Sequence, residues 1–194
     1  MRLLMCVLVV GAFLFLLWHF TRTGRGPDSA LVRELAAAGV TPGENEKLLG
    51  SGHHWRAQRT LMTDREVYFM HDLFRHVDMQ RWYLCPQVRV ADIVELSPHI
   101  RPRSKMWWRL FNMAAQWHCD VVIVDRHTFA VVAAIELDDA SHLKKSRVKR
   151  DILLNEVMRQ ANVPLLRNRD SRALLKTVSD FLNTLTESTT QKPH

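Results

Sequence analysis

The strongest constraint in this chain is a pair of apolar runs that each meet carboxylates. The first is His118-Cys119-Asp120-Val121-Val122-Ile123-Val124-Asp125, and the second is Val131-Val132-Ala133-Ala134-Ile135-Glu136-Leu137-Asp138-Asp139-Ala140-Ser141-His142. Short continuous stretches rich in Val, Ile and Ala read as buried strands. Only Arg126, His127 and Thr128 lie between the runs, so an antiparallel hairpin is expected. Bare carboxylates at the end of a buried strand are costly unless their charge is compensated, and a divalent cation is the obvious compensation.

Centring the turn on His127 sets Asp120 roughly opposite Ala134 and Glu136 roughly opposite His118. Asp120 and Glu136 then share a face as diagonal neighbours, with Cβ atoms about 7–8 Å apart or somewhat less. Two converging carboxylates suit one hard, oxygen-loving ion. Asp138 falls on the same face by the period of two. The opposite face, Val121, Ile123, Ala133, Ile135 and Leu137, is apolar except for Asp125 at the turn. Asp139, Ser141 and His142 bring further ligand types, and Lys144, Lys145, Arg147, Lys149 and Arg150 follow at once. Carboxylates that gather a cation beside a crowded basic segment describe a place where a phosphate-bearing substrate meets Mg²⁺. A solvated basic helix face is the alternative for the lysines.

In order, these are a strand with Asp120, a strand ending Ile135-Glu136-Leu137-Asp138-Asp139-x-Ser141-His142, a helix carrying Arg150-Asp151, and Ala161-Asn162-Val163-Pro164-Leu165-Leu166-Arg167. That order resembles the PD-(D/E)XK restriction-endonuclease-like superfamily, within it a bacterial domain-of-unknown-function branch similar to the very-short-patch-repair type of nuclease. The likeness covers roughly residues 61–185. It implies an α/β fold, a restriction-endonuclease-like mixed sheet flanked by helices. It also implies that Asp120 and Glu136 bind the metal, Mg²⁺ or Mn²⁺, with the Leu137 carbonyl as a further ligand. Asp138 stands where the best-known members place a lysine that positions the attacking water or stabilises the charged transition state. Lys144, Lys149 or Arg150 would then supply a cation, or His142 would act as acid or base. The implied chemistry is metal-assisted phosphodiester hydrolysis of nucleic acid, DNA first; whether two copies pair as a homodimer to cut both strands is left open by the sequence. A silent module that binds DNA or a protein partner on the same scaffold is the alternative, since fold does not entail function.

Thr63-Asp64-Arg65-Glu66 has the capping-box pattern that opens a helix, and Val67, Phe69, Met70, Leu73, Phe74 and Val77 give it an apolar face. Glu66 reads either as the capping glutamate or as an acidic residue near the metal. Tyr83 to Val90 reads as the first strand, where Pro86 argues for an edge or a bulge and Gln87 for a polar edge residue or a site residue. Between Ile100 and Trp117, Arg101, Arg103, Lys105 and Arg109 alternate with Trp107, Trp108, Phe111 and Trp117. Cations mixed with aromatics suit phosphates and stacked bases; Met106, Leu110, Met113 and Ala114 at helical spacing suit an amphipathic helix packed on the sheet. Arg103, Lys105, Arg109, Lys144, Lys145 and Arg150 are the candidate nucleic-acid contacts. A helix from Ser146 to about Ala161, a short strand from Pro164 to Arg167 and a helix from Ser171 to Leu185 complete the domain.

Leu3 to Phe20 is an uncharged apolar run flanked by Arg2, Arg22 and Arg25, long enough to cross a bilayer. No small-x-small cleavage site follows it, so a single-pass signal anchor is expected over residues 1–22. The excess of Lys and Arg beyond it puts the domain on the cytoplasmic side of a bacterial inner membrane. Residues 23–60 read as a linker with one short helix, Ser29 to Ala38, closed by Gly39. The nuclease-like domain takes 61–186, and 187–194 is a polar, disordered tail. His53-His54-Trp55 reads as a docking turn, and Cys6, Cys85 and Cys119 show neither disulfide nor zinc spacing. A net charge of +7 over 194 residues favours a polyanionic partner, nucleic acid or an anionic membrane surface. The chain carries no repeat, Walker loop, dinucleotide fingerprint or nucleophile elbow.

Overall fold

Ser29 begins the first helix by accepting a hydrogen bond from the Val32 N–H at 3.2 Å, and α1 runs Ala30–Ala37. It stops where Gly39 takes φ 76°, a left-handed conformation that glycine adopts without steric cost. A second helix, α2, Glu44–Gly50, follows; the linker thus holds two helices, not one, because Glu44 and Glu46 favour a helix start that weak apolar periodicity does not announce. Gly50 permits close approach, since a Cβ there would stand 2.1 Å from Ser29 Oγ. The computed structural model describes residues 29–138 and 145–190, which fall into two compact units, one ending at Arg59 and one beginning at Thr60. Among the described residues no helix is long and apolar enough to cross a membrane; the expected span, Leu3 to Phe20, lies outside them.

The larger unit opens with α3, Asp64–His76, whose capping box is complete: Thr63 Oγ1 accepts from the Glu66 N–H, and Glu66 Oε2 accepts from the Thr63 N–H. Then come β1 (Trp82–Arg89), the single turn α4 (Val90–Ile93), α5 (Lys105–Ala114), β2 (His118–Asp125), β3 (Val131–Leu137), α6 (Lys145–Gln160), β4 (Leu165–Asn168) and α7 (Ser171–Thr190). Helix α7 continues through Thr190, past the expected start of a disordered tail at 187, because Asp180 to Thr190 contains neither Gly nor Pro to end it.

The sheet is mixed, in the order β1-β2-β3-β4, with β1, β2 and β3 antiparallel and β4 parallel to β3. Strand β1 is an edge strand, and Gln87, next to Pro86, takes φ 53°, so the proline signal corresponds to both an edge and a local distortion. Helices cover both faces. On one, Phe69, Met70 and Leu73 of α3 and Leu174, Val178 and Leu182 of α7 pack on Val121, Ile123, Ala133 and Ile135. On the other, Val90, Ala114 of α5 and Leu154 and Met158 of α6 pack on Val122 and Ala134. A fully buried side chain such as Leu73 or Leu154 contributes about 1.5–3 kcal/mol over leaving it exposed.

The hairpin register differs from a turn centred on His127. Val121 pairs with Ile135, Val122 with Ala134 and Ile123 with Ala133, but Val124 pairs with Val131, a one-residue bulge. The loop is also longer than three residues. Asp125 Oδ1 accepts from the His127 and Thr128 N–H groups and the Thr128 hydroxyl, and Phe129 takes φ 59° before β3 starts. Together the loop and bulge move Asp120 from opposite Ala134 to level with Glu136.

Candidate functional site, a buried carboxylate pair

Asp120 sits where the alternation of β2 slips. Cys119 packs with the α5 and α6 side of the sheet, whereas Val121, two residues on, packs with the α3 and α7 side. The neighbouring position on β1 is Gln87 in its left-handed conformation, so both strands are distorted at one level. The slip aims Asp120 toward the end of β3, where its Oδ2 accepts from the Leu137 N–H at 2.7 Å. It is therefore the Leu137 N–H that the described geometry engages. Glu66 of α3 lies against Asp120, and Gln87 Nε2 donates to Glu66 Oε2 at 3.5 Å. The capping glutamate and the acidic neighbour of the site are thus the same side chain.

Glu136 is only 5% exposed, the one buried charged residue among those described. Its Oε1 has no hydrogen-bond partner. Among the described residues the nearest cation is Arg150, whose Nη2 stands 3.6 Å away, too far for a hydrogen bond, and donates instead to the His118 carbonyl at 2.9 Å. Burial, then the charge of Asp120, pushes the Glu136 carboxyl up to about 8, against the opposing pull of Arg150 and Arg167. Burial likewise pushes Asp120 up to about 6, with Glu66 adding to it and the Leu137 N–H bond opposing. Cys119, beside Glu136, is raised to about 12 by burial and by that carboxylate, which leaves a protonated thiol rather than a nucleophile. Two carboxylates are therefore held together with less positive charge than they need.

Asp138 is differently placed. Arg167, the cross-strand partner of Glu136 on β4, donates to both Asp138 carboxylate oxygens, at 2.5 and 3.1 Å, and stands 3.6 Å from Asp151. The fork geometry makes this a strong, partly buried pair. The Asp138 carbonyl accepts from Arg65 Nη1 of α3 at 2.8 Å. Arg150 and Asp151, on the first turns of α6, therefore both reach the site, and Asp151 links Arg150 to Arg167.

Among the other sequence candidates, Lys145, Lys149, Arg103, Lys105 and Arg109 are exposed. Asp139, Ser141, His142 and Lys144 lie outside the described residues. Sequence reasoning gave no site role to Arg65 or to Arg167. The signal for Arg167 was an arginine inside a short apolar strand, where a charge persists only if paired. Among the described residues no group of three or more His, Cys, Asp or Glu is arranged to hold a metal ion. Two carboxylates nevertheless suffice for Mg²⁺, which is commonly held by one or two carboxylates together with substrate phosphates and water. The orphaned, buried Oε1 of Glu136 beside Asp120 fits such an ion.

No curated protein and no solved structure shows significant similarity to this chain. The model of one family, described as a protein of unknown function (DUF2726), matches residues 58–184, which span the larger unit from before α3 into α7, and the chain belongs to that family.

Proposed function

We propose that this protein is a membrane-anchored, metal-dependent nuclease of the PD-(D/E)XK type. The observation that carries the reading is the buried Glu136, one oxygen of which makes no hydrogen bond, beside Asp120 at a distorted strand junction flanked by arginines. Asp120 and Glu136, with the Leu137 carbonyl, would hold Mg²⁺ or Mn²⁺. When bound, such an ion polarises a phosphoryl oxygen and lowers the pKa of a water for in-line attack.

The chain's own residues have separate tasks in this reading. The Leu137 N–H fixes the rotamer of Asp120. Arg150 is the counter-charge of Glu136 in the free protein and turns to a substrate phosphate once Glu136 has another partner. Arg167 supplies the positive charge at the position where Asp138 replaces a lysine, held in place by its fork on Asp138. His142 is the candidate acid or base. The apolar run from Leu3 to Phe20 would anchor the domain at the inner face of a bacterial membrane, where a +7 chain meets nucleic acid.

Two ion pairs, Arg150 with Glu136 and Arg167 with Asp138, favour a second reading, since they partly satisfy the site without a metal. That reading is a silent module that binds DNA or a protein at the membrane. The full chain, incubated with labelled single- and double-stranded DNA and RNA in Mg²⁺, Mn²⁺ or EDTA, separates the two. Metal-dependent cutting lost in Asp120→Asn/Glu136→Gln supports the nuclease. Binding without cutting, unchanged in the double variant, supports the silent module.

A further inference from the structure

On the side of the site toward α7, Arg65, Arg169 and Arg172 line an open cleft of about 370 Å³ together with Asp170 and Ser171. Arginines of like charge are brought together here from separate places in the chain: Arg65 from the first turn of α3, Arg169 from the turn after β4 and Arg172 from the first turn of α7. Arg65 is held by main-chain carbonyls, donating through Nη1 to Asp138 and through Nη2 to Arg169. Carbonyls orient a guanidinium without neutralising it. Among the described residues none of the three arginines makes an ion pair within 4 Å. Among the described residues the one carboxylate lining the cleft, Asp170, is turned to the helix start: its Oδ1 accepts from the Ala173 and Arg172 N–H groups at 2.9 and 2.8 Å, bonds that hold its pKa down. The described lining therefore carries a net positive charge, three arginines against one aspartate.

We infer that this cleft binds a backbone phosphate of the nucleic-acid strand whose neighbouring phosphodiester lies at Asp120 and Glu136. The assignment rests on the nuclease reading for what lies next door, and on the arginines for the phosphate itself. Two contacts tie the cleft to that site. Arg65 bonds the carbonyl of Asp138, two residues beyond Glu136, and the next residue of α3, Glu66, lies against Asp120. A preorganised, unneutralised guanidinium suits phosphate because its fork matches two phosphate oxygens and little ordering remains to be done on binding.

The test is binding of fluorescent single- and double-stranded DNA and RNA oligonucleotides to the full chain in EDTA, as a function of salt. Arg169→Ala/Arg172→Ala removes two exposed charges, and Arg75→Ala/Arg159→Ala removes two exposed charges from the C-terminal ends of α3 and α6. Arg169→Lys/Arg172→Lys keeps the charge without the fork. The arginine-to-alanine variant is expected to bind about tenfold or more weakly and to flatten the salt dependence by about 1.4–1.8 in log–log slope, as for two lost phosphate contacts. The remote pair is expected to change affinity less than about twofold, and the lysine variant to recover part of the loss. Equal weakening by both alanine pairs, or none by either, overturns the assignment. So does loss of binding to phosphatidylglycerol-containing micelles with oligonucleotide binding unchanged, which would make the occupant a lipid headgroup. Arginine-dependent binding without Mg²⁺-dependent cutting supports the cleft while refuting the nuclease, and cutting that ignores these arginines refutes the cleft alone.

Discussion

Glu136→Gln is expected to stabilise the metal-free protein above neutral pH. In the folded chain burial and Asp120 raise this carboxyl from 4.5 to about 8, so the folded state binds the proton more tightly than the unfolded chain. Its contribution to stability is then fully present below about pH 4.5 and is lost as pH rises through about 8. At about 1.4 kcal/mol per unit, the loss by pH 8 is about 4 kcal/mol. Glutamine removes that loss but leaves a buried amide incompletely bonded, at a cost of about 1–3 kcal/mol. The net gain at pH 8 is thus about 1–3 kcal/mol, or about 3–10 °C in the midpoint of a domain of this size. Asp120, raised to about 6 chiefly by burial, adds a smaller fall of the same sign that is complete earlier in both proteins. The assay is thermal unfolding of the full chain in EDTA between about pH 5 and 8.5, with the variant expected to be nearly flat where the parent declines. A variant that loses stability with pH as steeply as its parent, or melts lower at pH 8, would refute the reasoning.

Arg167→Ala leaves Asp138 and Asp151 without their shared partner and is expected to destabilise by about 3–5 kcal/mol in urea unfolding, whereas Asp138→Asn, which keeps a bond to the guanidinium, should be milder. Leu154→Ala, in the wholly buried layer under α6, should cost about 2–5 kcal/mol by the same assay. Mn²⁺ should raise the melting temperature of the parent but not of Asp120→Asn/Glu136→Gln, as mass action on a folded-state site requires. The apparent Mn²⁺ affinity, measured by calorimetry, should rise between about pH 6 and 8 as the raised carboxyls give up their protons; a flat profile would separate the metal from these residues.

The hairpin was legible because apolar β-branched runs ending in carboxylates admit few other structures, and so were the capping box at Thr63, the sheet edge at Pro86 and the helix carrying Arg150. The register was not. A three-residue turn read from spacing ignored the side chain of Asp125, which bonds two N–H groups and a hydroxyl and builds a longer loop. The bulge that follows has no local signature beyond Phe129 at positive φ. The carboxylate pair survived the error because a shift of two residues keeps each side chain on its face. The arginines of the site escaped for a different reason. Arg65 lies 73 positions before Asp138 and 104 before Arg169, and Arg167 lies 29 beyond Asp138; only the parallel pairing of β4 with β3 and the packing of α3 over the strand ends bring them together. The second linker helix was missed because its seven residues carry too few apolar positions to show a period.

Crystals of the full chain soaked in Mn²⁺ and measured for anomalous scattering would test the carboxylate pair most directly. An anomalous peak contacted by Asp120 and Glu136, with Arg150 drawn away from Glu136 Oε1, is the expected result. Glu136 still paired with Arg150, with no peak at the two carboxylates, would contradict the metal centre on which the nuclease reading depends.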